Sequence, residues 1–72
     1  MSKEVKMGRY KHYKKGDLYQ VVGTALHSET REPLVVYVAL RKGADQLLAM
    51  PRQMFNDEVE VDGKIVPRFK PI

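Results

Sequence analysis

Cysteine is missing from this chain. Its absence removes disulfides, thiolate zinc sites and thiol nucleophiles together, while leaving the redox compartment undefined. Stability therefore has to come from packing alone. Also missing is any apolar run long enough to span a membrane, and the start, Met1-Ser2-Lys3-Glu4-Val5-Lys6-Met7, is basic without the apolar stretch of a signal peptide. A cytoplasmic location and no membrane partner are expected. Two histidines without characteristic spacing fall short of a zinc motif. No metal, no cofactor and no catalytic residue is assigned.

What is present is 72 residues, enough for one domain near the lower limit at which a chain buries its own core. The net charge of +4 is unevenly spread. Lys3, Lys6, Arg9, Lys11, Lys14 and Lys15 crowd the first quarter, whereas Asp57, Glu58, Glu60 and Asp62 crowd one stretch near the end. A basic segment attracts phosphate, although a lysine-rich leader also serves as a plain solvated tail.

Residues 1–7 lack periodicity and are expected to form a flexible leader, with residues 8–72 as a single domain. Arg9 to Tyr13 alternates as a short strand does, with Tyr13 facing away from Tyr10 and His12. Lys14-Lys15-Gly16-Asp17 reads as a turn, and Leu18 to Leu26 as a strand with a bulge at Gly23. Leu34 to Leu40, uncharged and β-branched, is expected to be the most buried strand. A fourth strand, Leu47 to Met50, ends at Pro51, and Arg52 to Phe55 suits one helical turn. Glu58 to Val61 and Lys64 to Val66 flank Asp62-Gly63, the two-residue type I′ hairpin signal. Pro67 closes the last strand and leaves Arg68-Phe69 to dock, with Met54, Phe55 and Phe69 as plugs. Six short strands and no long helical pattern predict an all-β fold, a small antiparallel SH3-like barrel with one helical turn; an OB-type barrel is the alternative.

Several of these segments look familiar as a set. Gly8 to Tyr13, Tyr19 to Thr30 with its His27-Ser28-Glu29-Thr30 run, Val35-Val36-Tyr37, Pro51, Met54-Phe55 and Pro67-Arg68-Phe69 resemble the small bacterial family known as domain of unknown function 1653. The resemblance implies the domain and no activity. Where the family pattern has Trp-Val-Arg-Pro, this chain has Leu48-Ala49-Met50-Pro51, and Lys15 is an extra residue in the first turn.

The polar island His27 to Pro33 lies between two apolar strands, so it is presented on a rigid base. In an extended segment His27 and Glu29 project together and Ser28 projects away, which argues against a serine triad. Ser28, Thr30 and Glu29 also suit a purely structural loop, bonding local backbone. Tyr10, His12 and Tyr13 interleaved with Arg9, Lys11 and Lys14 combine stacking faces with positive charge, as single-strand binding surfaces do. Arg68 is expected to pair with Glu29 or Glu32. The expected role is a non-catalytic binding module using Tyr10, His12, Tyr13, His27, Glu29 and Arg68, for a protein or a single-stranded nucleic acid. The alternative is a small hydrolytic or ligand-processing enzyme using His27 and Glu29. A continuous basic face joining Arg9, Lys11, Lys14 and Arg52 would favour nucleic acid, and a neutral aromatic groove a peptide.

Overall fold

Alternation along the chain produces seven strands and one helical turn in the computed structural model, which describes residues 4–14 and 16–72. They are β1 (Gly8–His12), β2 (Leu18–Leu26), β3 (Pro33–Ala39), β4 (Leu48–Pro51), α1 (Arg52–Phe55), β5 (Glu58–Val61), β6 (Lys64–Pro67) and β7 (Phe69–Pro71). All pairings are antiparallel. Five strands form one sheet in the order β4-β3-β2-β1-β7, and β5 and β6 form a separate hairpin.

The expected barrel does not close through hydrogen bonds. The sheet is open, with β4 and β7 as its edges and no pairing between them. Two local causes stand out. Pro51 cannot donate to a ladder and hands the chain to α1, so β4 stays four residues long. The β5–β6 hairpin sits between α1 and β7, which takes eight strand-forming residues out of the main sheet. The seventh strand was not foreseen: Phe69 to Pro71 pairs with β1, placing Phe69 opposite His12 and Lys70 opposite Lys11.

The turns follow their sequence signals. Asp62 (φ 50°) and Gly63 (φ 80°) are both left-handed, as a type I′ turn requires. The irregularity in β2 falls on Val22, one residue before Gly23: Val21 pairs with Tyr37 and Gly23 with Val36, leaving Val22 over.

The core lies on one face of the large sheet. Val21 and Val35 are completely buried, and Tyr10, Tyr37, Phe55, Phe69 and Val5 are nearly so. Val5 belongs to the segment read as a flexible leader; it packs in the core, and the Lys6 carbonyl accepts the Tyr10 hydroxyl at 2.9 Å. Met1, Ser2 and Lys3 of that segment lie outside the described residues, as does Lys15. Met54, expected as a plug, is exposed, because one turn of helix directs only Phe55 inward.

Aromatic rings dominate this core. Phe55 and Phe69 are stacked with centroids 4.3 Å apart, Tyr10 meets Phe55 edge-on at 5.2 Å, and Tyr37 meets both phenylalanines at 6.1 and 6.0 Å. Tyr19 joins through Tyr37 and Phe69. Truncating Phe69 to Ala is therefore expected to cost ~3–5 kcal/mol. A chain of this length has only roughly 4–11 kcal/mol to lose at ~0.05–0.15 kcal/mol per residue. Denaturant unfolding should show that loss for Phe69→Ala, with Met54→Ala staying within about 0.5 kcal/mol of the parent.

Candidate functional site

The first turn is organised by a histidine. His12 Nδ1 accepts the Lys14 amide at 3.2 Å, so the neutral ring carries its proton on Nε2. The turn is closed by the His12 amide donating to the Asp17 carbonyl at 2.8 Å and the Gly16 amide donating to the His12 carbonyl at 3.1 Å. Half-buried beside Phe69 (5.0 Å) and Tyr19 (6.4 Å), the imidazole is held below its ordinary pKa. Burial is the main cause and the Arg68 guanidinium the second; Asp17 opposes them and Lys14 adds to them.

Tyr13 leaves the strand at this turn. Its amide donates to the Arg68 carbonyl at 3.0 Å, its ring lies tilted against His12 at 4.7 Å, and it remains 40% exposed. Beside it a groove of about 510 Å³ separates the β1–β7 edge from the β5–β6 hairpin. Lys11 and Lys70 line it from the sheet, Lys64 from the hairpin, and Val61 and Val66 supply apolar wall. Asp62 is its one carboxylate among the described residues. Lys11 also runs over Gly16, where a Cβ would lie 3.1 Å from its Cε, and Gly16 is left-handed at φ +71°.

The other residues expected at a site are placed elsewhere. Tyr10 is only 8% exposed and packs edge-on against Phe55, so its ring is a core group with no free face. Burial of Tyr10 follows from its position on the core face of β1, between exposed Arg9 and Lys11. Arg68 does not reach Glu29 or Glu32. It faces Asp57 at 4.0 Å, and its backbone amide donates to the Asp57 carbonyl at 2.9 Å, because the chain returns past α1 and not past the β2–β3 loop. Its Nε is buried with no hydrogen-bond partner among the described residues.

His27 and Glu29 lie together in the exposed β2–β3 loop, but in a structural arrangement. His27 Nδ1 accepts the amides of Glu29 (3.1 Å) and Thr30 (3.3 Å), and Thr30 Oγ1 accepts the amide of Glu32 (3.2 Å). Arg31 is left-handed at φ 65°, and its amide donates to the His27 carbonyl at 2.9 Å. The side chain expected to accept loop amides was Glu29; the imidazole does so instead. Neither His27 nor Glu29 lines the groove.

A second depression, about 760 Å³, lies on the other side of the hairpin. Glu4, Asp57 and Glu58 rim it, and Tyr10, Phe55 and Phe69 form its floor. Arg52, which opens α1, does not line the groove, so the basic face expected to join it to Lys11 is made there by Lys64 and Lys70. Those two lysines were missed because their proximity to Lys11 depends on the unforeseen seventh strand and on the stance of the hairpin. Among the described residues, no group of three or more His, Cys, Asp or Glu comes together to hold a metal ion. Nor is any described helix long and apolar enough to cross a membrane.

An open antiparallel β-sheet with a side hairpin and a basic, aromatic groove defines the class of this protein. The chain belongs to the DUF1653 family, proteins of unknown function, whose model matches residues 8–71. A crystal structure of a DUF1653-family protein from Bordetella bronchiseptica is similar, with a TM-score of 0.85 and 32% identity, covering 100% of this chain and 92% of that one. Comparison with curated proteins returned no match. Leu48 and Met50 line neither depression; Leu48 lies opposite Tyr37, and Met50 packs against the core.

Two measurements check these roles. His27→Ala should lower stability by ~1 kcal/mol, as loss of an amide-accepting cap does, whereas His27→Asn should keep most of it. The denaturant midpoint should move with the m-value unchanged. His12 gives a pH signature. Its folded pKa is depressed below 6.5, so the unfolded chain binds more protons just below that pH. Its contribution is fully present above pH 6.5 and is lost as pH falls from there through the folded pKa. That loss should disappear in His12→Asn when thermal unfolding is followed from pH 7.5 to 5.

Proposed function

We propose that this domain is a non-catalytic binding module whose site is the basic groove between the β1–β7 edge and the β5–β6 hairpin. The observation that carries the reading is Tyr13, an exposed ring tilted on half-buried His12 and bordered by three lysines. A recess of about 510 Å³ falls within the ~300–1,000 Å³ range of ligand clefts. Its charge balance favours an anionic partner.

The enzyme alternative, His27 with Glu29, draws less support. A general base needs a free lone pair within reach of a substrate proton; the Nδ1 lone pair of His27 is taken by two backbone amides, and the neutral ring then carries its proton on Nε2. We infer as well that the fold is an opened variant of the SH3-like architecture, a reading supported by the strand order β7-β1-β2-β3-β4 and the helical turn after β4.

Titration with inorganic polyphosphate, followed by amide chemical shifts, tests the site. Shifts should concentrate on residues 11–14 and 61–70 and spare the loop at 27–32. Each of Lys11→Ala, Lys64→Ala and Lys70→Ala should flatten the salt dependence by about one unit of log–log slope. Shifts centred on other lysines, or none at all, would reject the groove as the site.

A further inference from the structure

We infer that the groove takes a single strand of nucleic acid, with one base on the exposed face of Tyr13 and the adjoining phosphates among Lys11, Lys64 and Lys70. This rests on the groove being the binding site and goes further by naming the partner.

Two observations point the same way. Lys11 and Lys70 are direct cross-strand partners. Like charges in that relation repel, and among the described residues no carboxylate stands in ion-pair contact with either lysine or with Lys64. An anion in the groove would relieve the repulsion, and successive phosphates would engage the sheet and hairpin lysines together.

The second observation is the ring. A bare anion has no use for a π face, and an acidic peptide would use the lysines while leaving Tyr13 idle. Tyr13 is 40% exposed, its main chain is anchored by the hydrogen bond from its amide to the Arg68 carbonyl, and its ring leans on His12, so part of the ring is presented to the groove from a fixed base. Aromatic side chains flanked by basic residues are how proteins hold unpaired bases. A duplex keeps its base faces inside the stack and offers nothing for that ring. Val61 and Val66 give the opposite wall an apolar surface suited to a base or sugar edge.

The test is fluorescence anisotropy with a labelled oligothymidylate of about eight nucleotides, a length within the ~4–16 nucleotides that one small β domain covers. Competitors are the corresponding duplex, inorganic polyphosphate and polyglutamate. The single strand should bind tightest. Tyr13→Ala should weaken it about tenfold or more while leaving polyphosphate affinity unchanged, and Tyr13→Phe should restore it. The ring lies in an exposed turn, so both variants should fold, and their thermal unfolding confirms this.

Equal loss of oligonucleotide and polyphosphate binding in Tyr13→Ala, or no loss of either, would overturn the stacking role. Tighter binding of polyglutamate than of oligothymidylate would overturn the nucleic-acid assignment in favour of an acidic protein and leave the groove as a binding site. If no polyanion binds at the groove, both this inference and the binding-module reading fail.

Discussion

The contact on which the structure depends is the stack of Phe69 on Phe55. Phe55 ends the helical turn that follows β4, at one edge of the sheet, and Phe69 opens β7, at the other. Hydrogen bonds leave those two edges apart; the stacked rings bring their flanking segments together over the same face. Tyr10, Tyr19 and Tyr37 meet the pair from beneath, mostly edge-on, the arrangement favoured by the ring quadrupole. Each such pair adds about 0.5–1.5 kcal/mol beyond burial of area, which matters in a chain small enough to be marginal. With no disulfide, and with the Arg68–Asp57 ion pair long and partly exposed, aromatic packing is the main device of cohesion.

The groove is a by-product of that anchoring. Once Phe69 is fixed opposite His12, Lys70 must lie opposite Lys11, and the segment between Phe55 and Phe69 has to leave the sheet and return. It does so as the β5–β6 hairpin, which pairs mainly with itself. One side of the hairpin faces the lysines and Tyr13, and the other faces Glu4, Asp57 and Glu58. Charge is thereby sorted across it: Lys11 meets Lys64 and Lys70 on one flank, and Glu4, Asp57 and Glu58 gather on the other.

Much of this was legible in the sequence, for local reasons. Alternation located β1 to β6 to within about a residue or two, Pro51 marked the end of β4, and Asp62-Gly63 announced its turn type. What could not be read was non-local. A three-residue strand ending in proline carries too little pattern to be recognised, so β7 was invisible, and with it the pairing that carries Lys70 to Lys11. Tyr10 and Tyr13 look alike as residues; only the core face of β1 and the turn after it separate a buried ring from an exposed one. His27 was misread for a related reason. Its value as an amide acceptor depends on the loop closing into a helical turn, whereas an extended segment would have paired it with Glu29.

The central claim is that aromatic packing binds β7 to the main sheet as one cooperative unit while the β5–β6 hairpin stands outside it. Native-state amide hydrogen exchange tests this most directly. The amides of Tyr13 and Ile72, bonded to the Arg68 and Arg9 carbonyls, should exchange only through global unfolding, together with those of β2 and β3, while the ladder amides of β5 and β6 open at much lower free energy. Early exchange of Tyr13 and Ile72 with β2–β3 still protected, or hairpin amides as protected as the sheet, would contradict it.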